Sequence, residues 1–68
     1  MDIYLNGKKQ AFDPKSSLID VLKALRIDPG AGYFAAAVNE KVVKRSEWPS
    51  FVLKAGDRVE VIQMVQGG

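Results

Sequence analysis

The sequence contains neither histidine nor cysteine. Those two absences together exclude disulfides, thiolate nucleophiles, Cys/His zinc sites, iron–sulfur clusters and Ser-His or Cys-His relays. The serines, Ser16, Ser17 and Ser46 among them, have no imidazole to activate them. No stretch resembles the Asp-rich loop of a calcium site, so no metal site is expected. No apolar run approaches the ~20 residues that span a bilayer, and the N-terminus has no signal-peptide pattern. The expectation is a soluble, cytoplasmic protein with no membrane partner. At 68 residues there is material for one domain, whose core supplies ~3–5 kcal/mol net. A deep catalytic cleft is hard to build from so little, and no lysine or carboxylate constellation proposes one. The chain is not expected to be an enzyme.

What is present has the balance of a globular chain. Hydrophobic types make up 47% and charged types 26%, far from the composition of disorder. Ten Lys and Arg against eight Asp and Glu give a net charge of +2, with a pI near 9.1. The basic residues are scattered, and Lys8-Lys9 and Lys44-Arg45 are the adjacent pairs. That pattern reads as a solvated face, not as a phosphate-binding stripe, and no nucleic-acid partner is expected.

Periodicity gives the elements. Ile3 and Leu5 share one face of an opening strand and Tyr4 the other. Asn6-Gly7 is a strong hairpin signal, because both central residues of a type I′ turn need positive φ. Lys9 to Phe12 read as the return strand, stopped by Asp13-Pro14. Leu18, Val21, Leu22 and Leu25 form one helical stripe. Either Ser16 or Ser17 can cap its start, Ser17 with Asp20 has capping-box spacing, and Asp28-Pro29-Gly30 is expected to end a helix of about three turns. Phe34 to Val38 read as a third strand with alanine on both faces. Asn39-Glu40-Lys41 make a turn and Val42-Val43 a short fourth strand. The stretch from Arg45 to Ser50 reads as irregular, with Trp48 anchoring it to the core. Gly56-Asp57 turn into a last strand, Arg58 to Val65. There Val59 and Val61 share a face while Glu60, Ile62 and Met64 share the other. One helix covers one face of a sheet only, so the expected class is an α+β domain over 1–65 with a flexible tail at 66–68.

Two features lie outside the core pattern. The first is the terminal Gly67-Gly68 pair, which taken alone is a weak signal, since a frayed end needs no function. Chemically, a terminal carboxylate with a reference pKa of about 3.3–3.7 is ionised and a poor acyl donor. A partner that converts it to an acyl-adenylate with ATP makes it an electrophile, and sulfur attack then leaves a thiocarboxylate. Missing β-carbons let Gly67 and Gly68, led by Gln66, pass a narrow channel. Five extended residues from Met64 reach about 17 Å, enough to enter another protein's active site. The second feature is Ile62 and Met64 on the uncovered face, near Tyr4, Ala35 and Ala37. They make a candidate docking patch.

Taken together, the pieces resemble a family, the ThiS-type sulfur carriers of thiamine biosynthesis, within the ubiquitin-like β-grasp superfamily. The resemblance covers essentially the full length. It rests on Ile3-x-Leu5-Asn6-Gly7, the Leu18 to Leu25 helix, and Ala37-Val38-Asn39. It continues through Val42-Val43-x-Arg45-x-x-Trp48 and Leu53-x-x-Gly56-Asp57-x-Val59-Glu60 to Gly67-Gly68. The resemblance implies a β-grasp sheet of four to five strands and supplies the strand order. It also implies that an E1-like adenylyltransferase, using its own ATP and magnesium, adenylates Gly68. A cysteine desulfurase or sulfur-relay protein then supplies sulfur, and thiazole synthase accepts it. In that scheme the chain binds no cofactor and is a monomer that passes between partners. Phe34 is bulkier than the family pattern suggests and the Tyr33-Phe34 segment is one residue long against it, which leaves the register of the third strand open.

The runner-up is the small subunit of molybdopterin synthase, which shares the thiocarboxylate. Its members tend to be longer and to carry prolines before the terminal glycines, whereas Met64-Val65-Gln66 has none. A ubiquitin-like modifier would instead form isopeptide bonds through Gly68. A nucleic-acid-binding module would use Lys8, Lys9, Lys44 and Arg45 and would not need a free end.

Overall fold

The computed structural model describes residues 1–27 and 34–63. Strand β1 (Asp2–Leu5) turns through Asn6 and Gly7, at φ 48° and 85°, into β2 (Lys8–Ala11). Those angles fit the type I′ geometry that the Asn-Gly pair predicts. The return strand starts one residue earlier than expected, and Phe12 stays paired through its N–H to the Met1 carbonyl. The third and fourth strands, β3 (Phe34–Val38) and β4 (Lys41–Val43), form a second hairpin. Its turn residues, Asn39 and Glu40, also have positive φ, at 51° and 72°. The last strand, β5 (Arg58–Gln63), follows a turn in which Gly56 has φ 86°. Sheet order is β2-β1-β5-β3-β4, with β1 and β5 parallel and the other neighbours antiparallel. The chain's last strand therefore lies at the centre of the sheet, between the two hairpins.

The α-helix, α1 (Leu18–Ala24), is shorter than the periodic stripe suggests. Its start is fully closed. Leu18 N–H goes to the Phe51 carbonyl, Ile19 N–H to the Trp48 carbonyl, and Asp20 N–H to Ser17 Oγ. The Asp20 carboxylate in turn accepts from the Ser17 backbone N–H at 3.0 Å, completing the capping box. At the other end Arg26 takes φ 61°, and its N–H bonds the Lys23 carbonyl while Ile27 N–H bonds the Leu22 carbonyl. That pair of bonds is a Schellman closure, which ends the helix after seven residues instead of at Asp28-Pro29-Gly30. Asp28, Pro29 and Gly30 lie outside the described residues.

Leu18, Val21 and Leu22 of α1 pack on Ile3 and Leu5 of β1, Ala36 and Val38 of β3, Val43 of β4 and Val59 of β5. Each such leucine, isoleucine or valine side chain contributes about 1.5–3 kcal/mol when fully buried. Phe34 and Val61 are half-buried against the same cluster. Phe34 pairs with Gln63 and Val38 with Val59, which settles the open register for the described part of β3. Tyr33 lies outside it. The segment expected to be irregular contains a 3-10 turn (Arg45–Glu47) that delivers Trp48 to the core. Trp48 is buried, and its indole N–H donates to the Val43 carbonyl at 3.0 Å. Among the described residues no buried side-chain polar atom lacks a partner.

Candidate functional site

Among the described residues, the side chains singled out for docking lie on β5 and on the open face of the strands beside it. Strand pairing places Tyr4 opposite Arg58, Ala37 opposite Glu60, and Ala35 opposite Ile62. These residues share the face that α1 leaves uncovered, because side chains directly opposite in a sheet point the same way. Tyr4 is 41% and Ile62 58% exposed. Of the expected docking residues, Tyr4 and Ile62 thus lie on one face, but they are not neighbours. Ile62 stands four residues along β5 from Arg58, the partner of Tyr4, about 13 Å, with Glu60 between them on that face. Met64 lies outside the described residues, as do Gln66, Gly67 and Gly68 and the expected boundary after residue 65.

The apolar part of this face runs in another direction. Ala37 has Val42 on its far side, and Val42 is 77% exposed. Val42, Ala37, Ala35 and Ile62 form a band across β4, β3 and β5. Its middle is floored by two alanines, and the larger side chains stand at its ends. Val42 was not picked out in the sequence, although the signal was there: of two consecutive valines in a short strand, one must face away from the core. Val43 took the inner place and is buried.

The side-chain roles of two asparagines were also missed. Asn6 donates its backbone N–H to the Val59 carbonyl, and its Oδ1 accepts the Val61 N–H at 2.9 Å. Asn39 donates its backbone N–H to the Arg58 carbonyl, and its Oδ1 accepts the Arg58 N–H at 3.0 Å. In both, the side-chain oxygen stands where the main-chain carbonyl of a continuing strand would be. Asn39 Nδ2 further bonds the Asp57 carboxylate at 3.0 Å, and that carboxylate accepts the Lys54 N–H at 2.8 Å. Asparagine suits these positions because it tolerates positive φ and still carries an acceptor. Glycine meets only the first requirement.

A cleft of about 370 Å³, lined by Val38, Asn39, Val43, Phe51 and Val52 among others, lies at the start of β5. That is the opposite end from the Phe34–Gln63 pair where β5 heads toward the tail. The four basic residues of the nucleic-acid reading are split between opposite edges of the sheet. Lys8 and Lys9 are on β2, while Lys44 and Arg45 follow β4. Lys9 pairs with Asp2 at 3.8 Å, and Arg45 lies 5.3 Å from the centre of the Trp48 ring. Among the described residues no cluster of acidic side chains could hold a metal ion, and no helix is long and apolar enough to cross a membrane.

A five-stranded mixed sheet with one helix across one face, and its last strand central and parallel to its first, is a ubiquitin-like β-grasp domain. Comparison with known proteins narrows the class. A profile of the ThiS family matches residues 3–68, and the chain belongs to that family. It is similar to the thiamine biosynthesis protein ThiS of Geobacter metallireducens. Against the crystal structure of that protein the identity is 28% and the TM-score 0.83, with all of both chains covered. The solution structure gives a TM-score of 0.77 at the same identity, covering all of this chain and 88% of that one. No curated protein sequence gives a significant match.

Proposed function

We propose that the chain is a sulfur carrier for thiamine biosynthesis and that its reactive group is the carboxylate of Gly68. The observation that carries this reading is the family match, which runs through the terminal Gly67-Gly68 pair. In the proposed cycle a carboxylate oxygen of Gly68 attacks the α-phosphorus of ATP in an E1-like adenylyltransferase, with magnesium, and releases pyrophosphate. The terminal sulfur of a persulfide, formed from cysteine on a desulfurase or relay protein, attacks the carbonyl carbon and expels AMP. A partner thiol then cleaves the acyl disulfide, releasing the thiocarboxylate and leaving a disulfide on the partner. The resulting thiocarboxylate donates its sulfur to thiazole synthase. Each catalytic group in this scheme belongs to a partner, so the chain is a co-substrate, monomeric between encounters and cytoplasmic like its partners. In this scheme Gln66 and Gly67 enter the partner's channel, and Tyr4, Ile62 and Met64 contact the partner as it docks.

The missing cysteines make the test clean. The chain is incubated with the adenylyltransferase, ATP and a desulfurase sulfur source, then treated with a thiol-selective alkylating reagent and weighed intact. One added label, lost when Gly68 is deleted, is the expected result. An adenylate that never acquires sulfur would favour a ubiquitin-like modifier. A labelled chain that serves molybdopterin synthase instead of thiazole synthase would move the function to the runner-up. No modification by an active partner would refute the carrier role.

A further inference from the structure

Of the two asparagines that hold β5, only Asn6 holds the half that runs toward Gly68. The main-chain ladder between β1 and β5 ends with Leu5 opposite Val59 and the Asn6 N–H on the Val59 carbonyl. In a continuing parallel ladder the Val61 N–H would find the next β1 carbonyl. Here it finds Asn6 Oδ1 at 2.9 Å, and Asn6 Nδ2 lies 3.5 Å from the Val61 carbonyl. One side-chain amide thus stands in for a peptide unit and carries the pairing two residues further along β5. We propose that Asn6 is a positioning residue for the carboxyl-terminal tail. It completes the β1 side of β5 at Val61 while β3 pairs the other side as far as Gln63, so the strand is held from both sides before any partner binds. The five residues from Gln63 to Gly68 span at most about 18 Å. Without the clamp the β1 side of β5 is unpaired beyond Val59, and restoring its order as the partner enzyme binds weakens apparent affinity. The inference rests on the carrier reading for its consequence, but not for the clamp itself.

Three variants separate the clamp from the turn and from general stability. Asn6→Gly keeps the positive φ and removes the side chain. Asn6→Asp keeps an acceptor for the Val61 N–H. Asn39→Gly removes the matching clamp at the other end of β5. The readouts are amide hydrogen exchange by NMR and the steady-state kinetics of pyrophosphate release by the adenylyltransferase. Asn6→Gly should speed exchange at Val61 and raise KM roughly five- to tenfold with kcat nearly unchanged, the scale set by losing about one hydrogen bond. Asn6→Asp should restore most of both. Asn39→Gly should speed exchange at Arg58 and leave KM at the wild-type value. A wild-type KM for Asn6→Gly, or an equal rise for Asn39→Gly, overturns the proposal. If the wild-type chain is not adenylated at all, the carrier reading falls and the kinetic consequence with it. Unchanged Val61 exchange in Asn6→Gly would overturn the clamp independently.

Discussion

Asp20 shows how much a single exposed carboxylate can be asked to do in so small a domain. Its pKa is held below the ordinary value of 3.8, first by the Ser17 backbone N–H, then by the Ser17 side chain, with a smaller contribution from Lys23. A carboxylate whose folded pKa is depressed stabilises the fold above its unfolded pKa, and the benefit is lost as pH falls through the folded value. Thermal unfolding of wild type and Asp20→Asn should therefore differ at neutral pH and converge as the pH drops below 3.8. A difference in Tm that stays constant down to about pH 2 would rule this out. The Ser17–Asp20 pair was legible in the sequence because a capping box is a local motif. Trp48 was legible as an anchor, but not its partners. The Val43 carbonyl it bonds and the Arg45 guanidinium stacked on it follow from a 3-10 turn that no periodic pattern announces. The asparagines were legible as turn residues only, because Val61 is far from Asn6 in sequence and next to it only after the sheet forms.

Among the elements, the two hairpins and β5 follow from period-2 alternation and from turn residues that accept positive φ. The helix is where pattern and structure part. Leu25 continues the apolar stripe, yet it is the C-cap, and the next residue is left-handed. Sequence marks such a stop when the C′ residue is glycine. Arginine at that position gives no warning, and it carries the cost of placing a β-carbon at φ 61°. Arg26→Gly should therefore stabilise the domain by about 0.5–1 kcal/mol, seen as a higher denaturant midpoint with an unchanged slope. A loss of stability would mean that the arginine side chain contributes more than its backbone conformation costs. The order of the strands was not readable from periodicity at all. That β5 inserts between β1 and β3 is a non-local fact, and only the family resemblance anticipated it.

At the scale of the whole molecule, the fold puts the strand that leads to Gly68 at the centre of the sheet, with one face closed by α1 and the other open. The apolar band from Val42 to Ile62 lies on that open face and reaches β5 one residue before its described end. The small Ala35 and Ala37 side chains leave the sheet open to close approach between the two larger ends of the band, and under the proposed carrier role this is the surface that a partner engaging the tail would cover. Burying an isoleucine is worth about 1.5–3 kcal/mol, so Ile62→Asp should weaken binding to the adenylyltransferase by roughly tenfold to a hundredfold. Because the side chain is exposed in the free chain, stability should fall by no more than about 1 kcal/mol, the span of strand propensities. Val42→Asp tests how far the band extends. If the partner covers its full width, binding weakens to a similar degree. If docking is confined to the β1 and β5 side where Tyr4 lies, Val42→Asp binds like wild type while Ile62→Asp does not. Unchanged binding in both would place the docking surface elsewhere and leave the tail as the whole of the recognition.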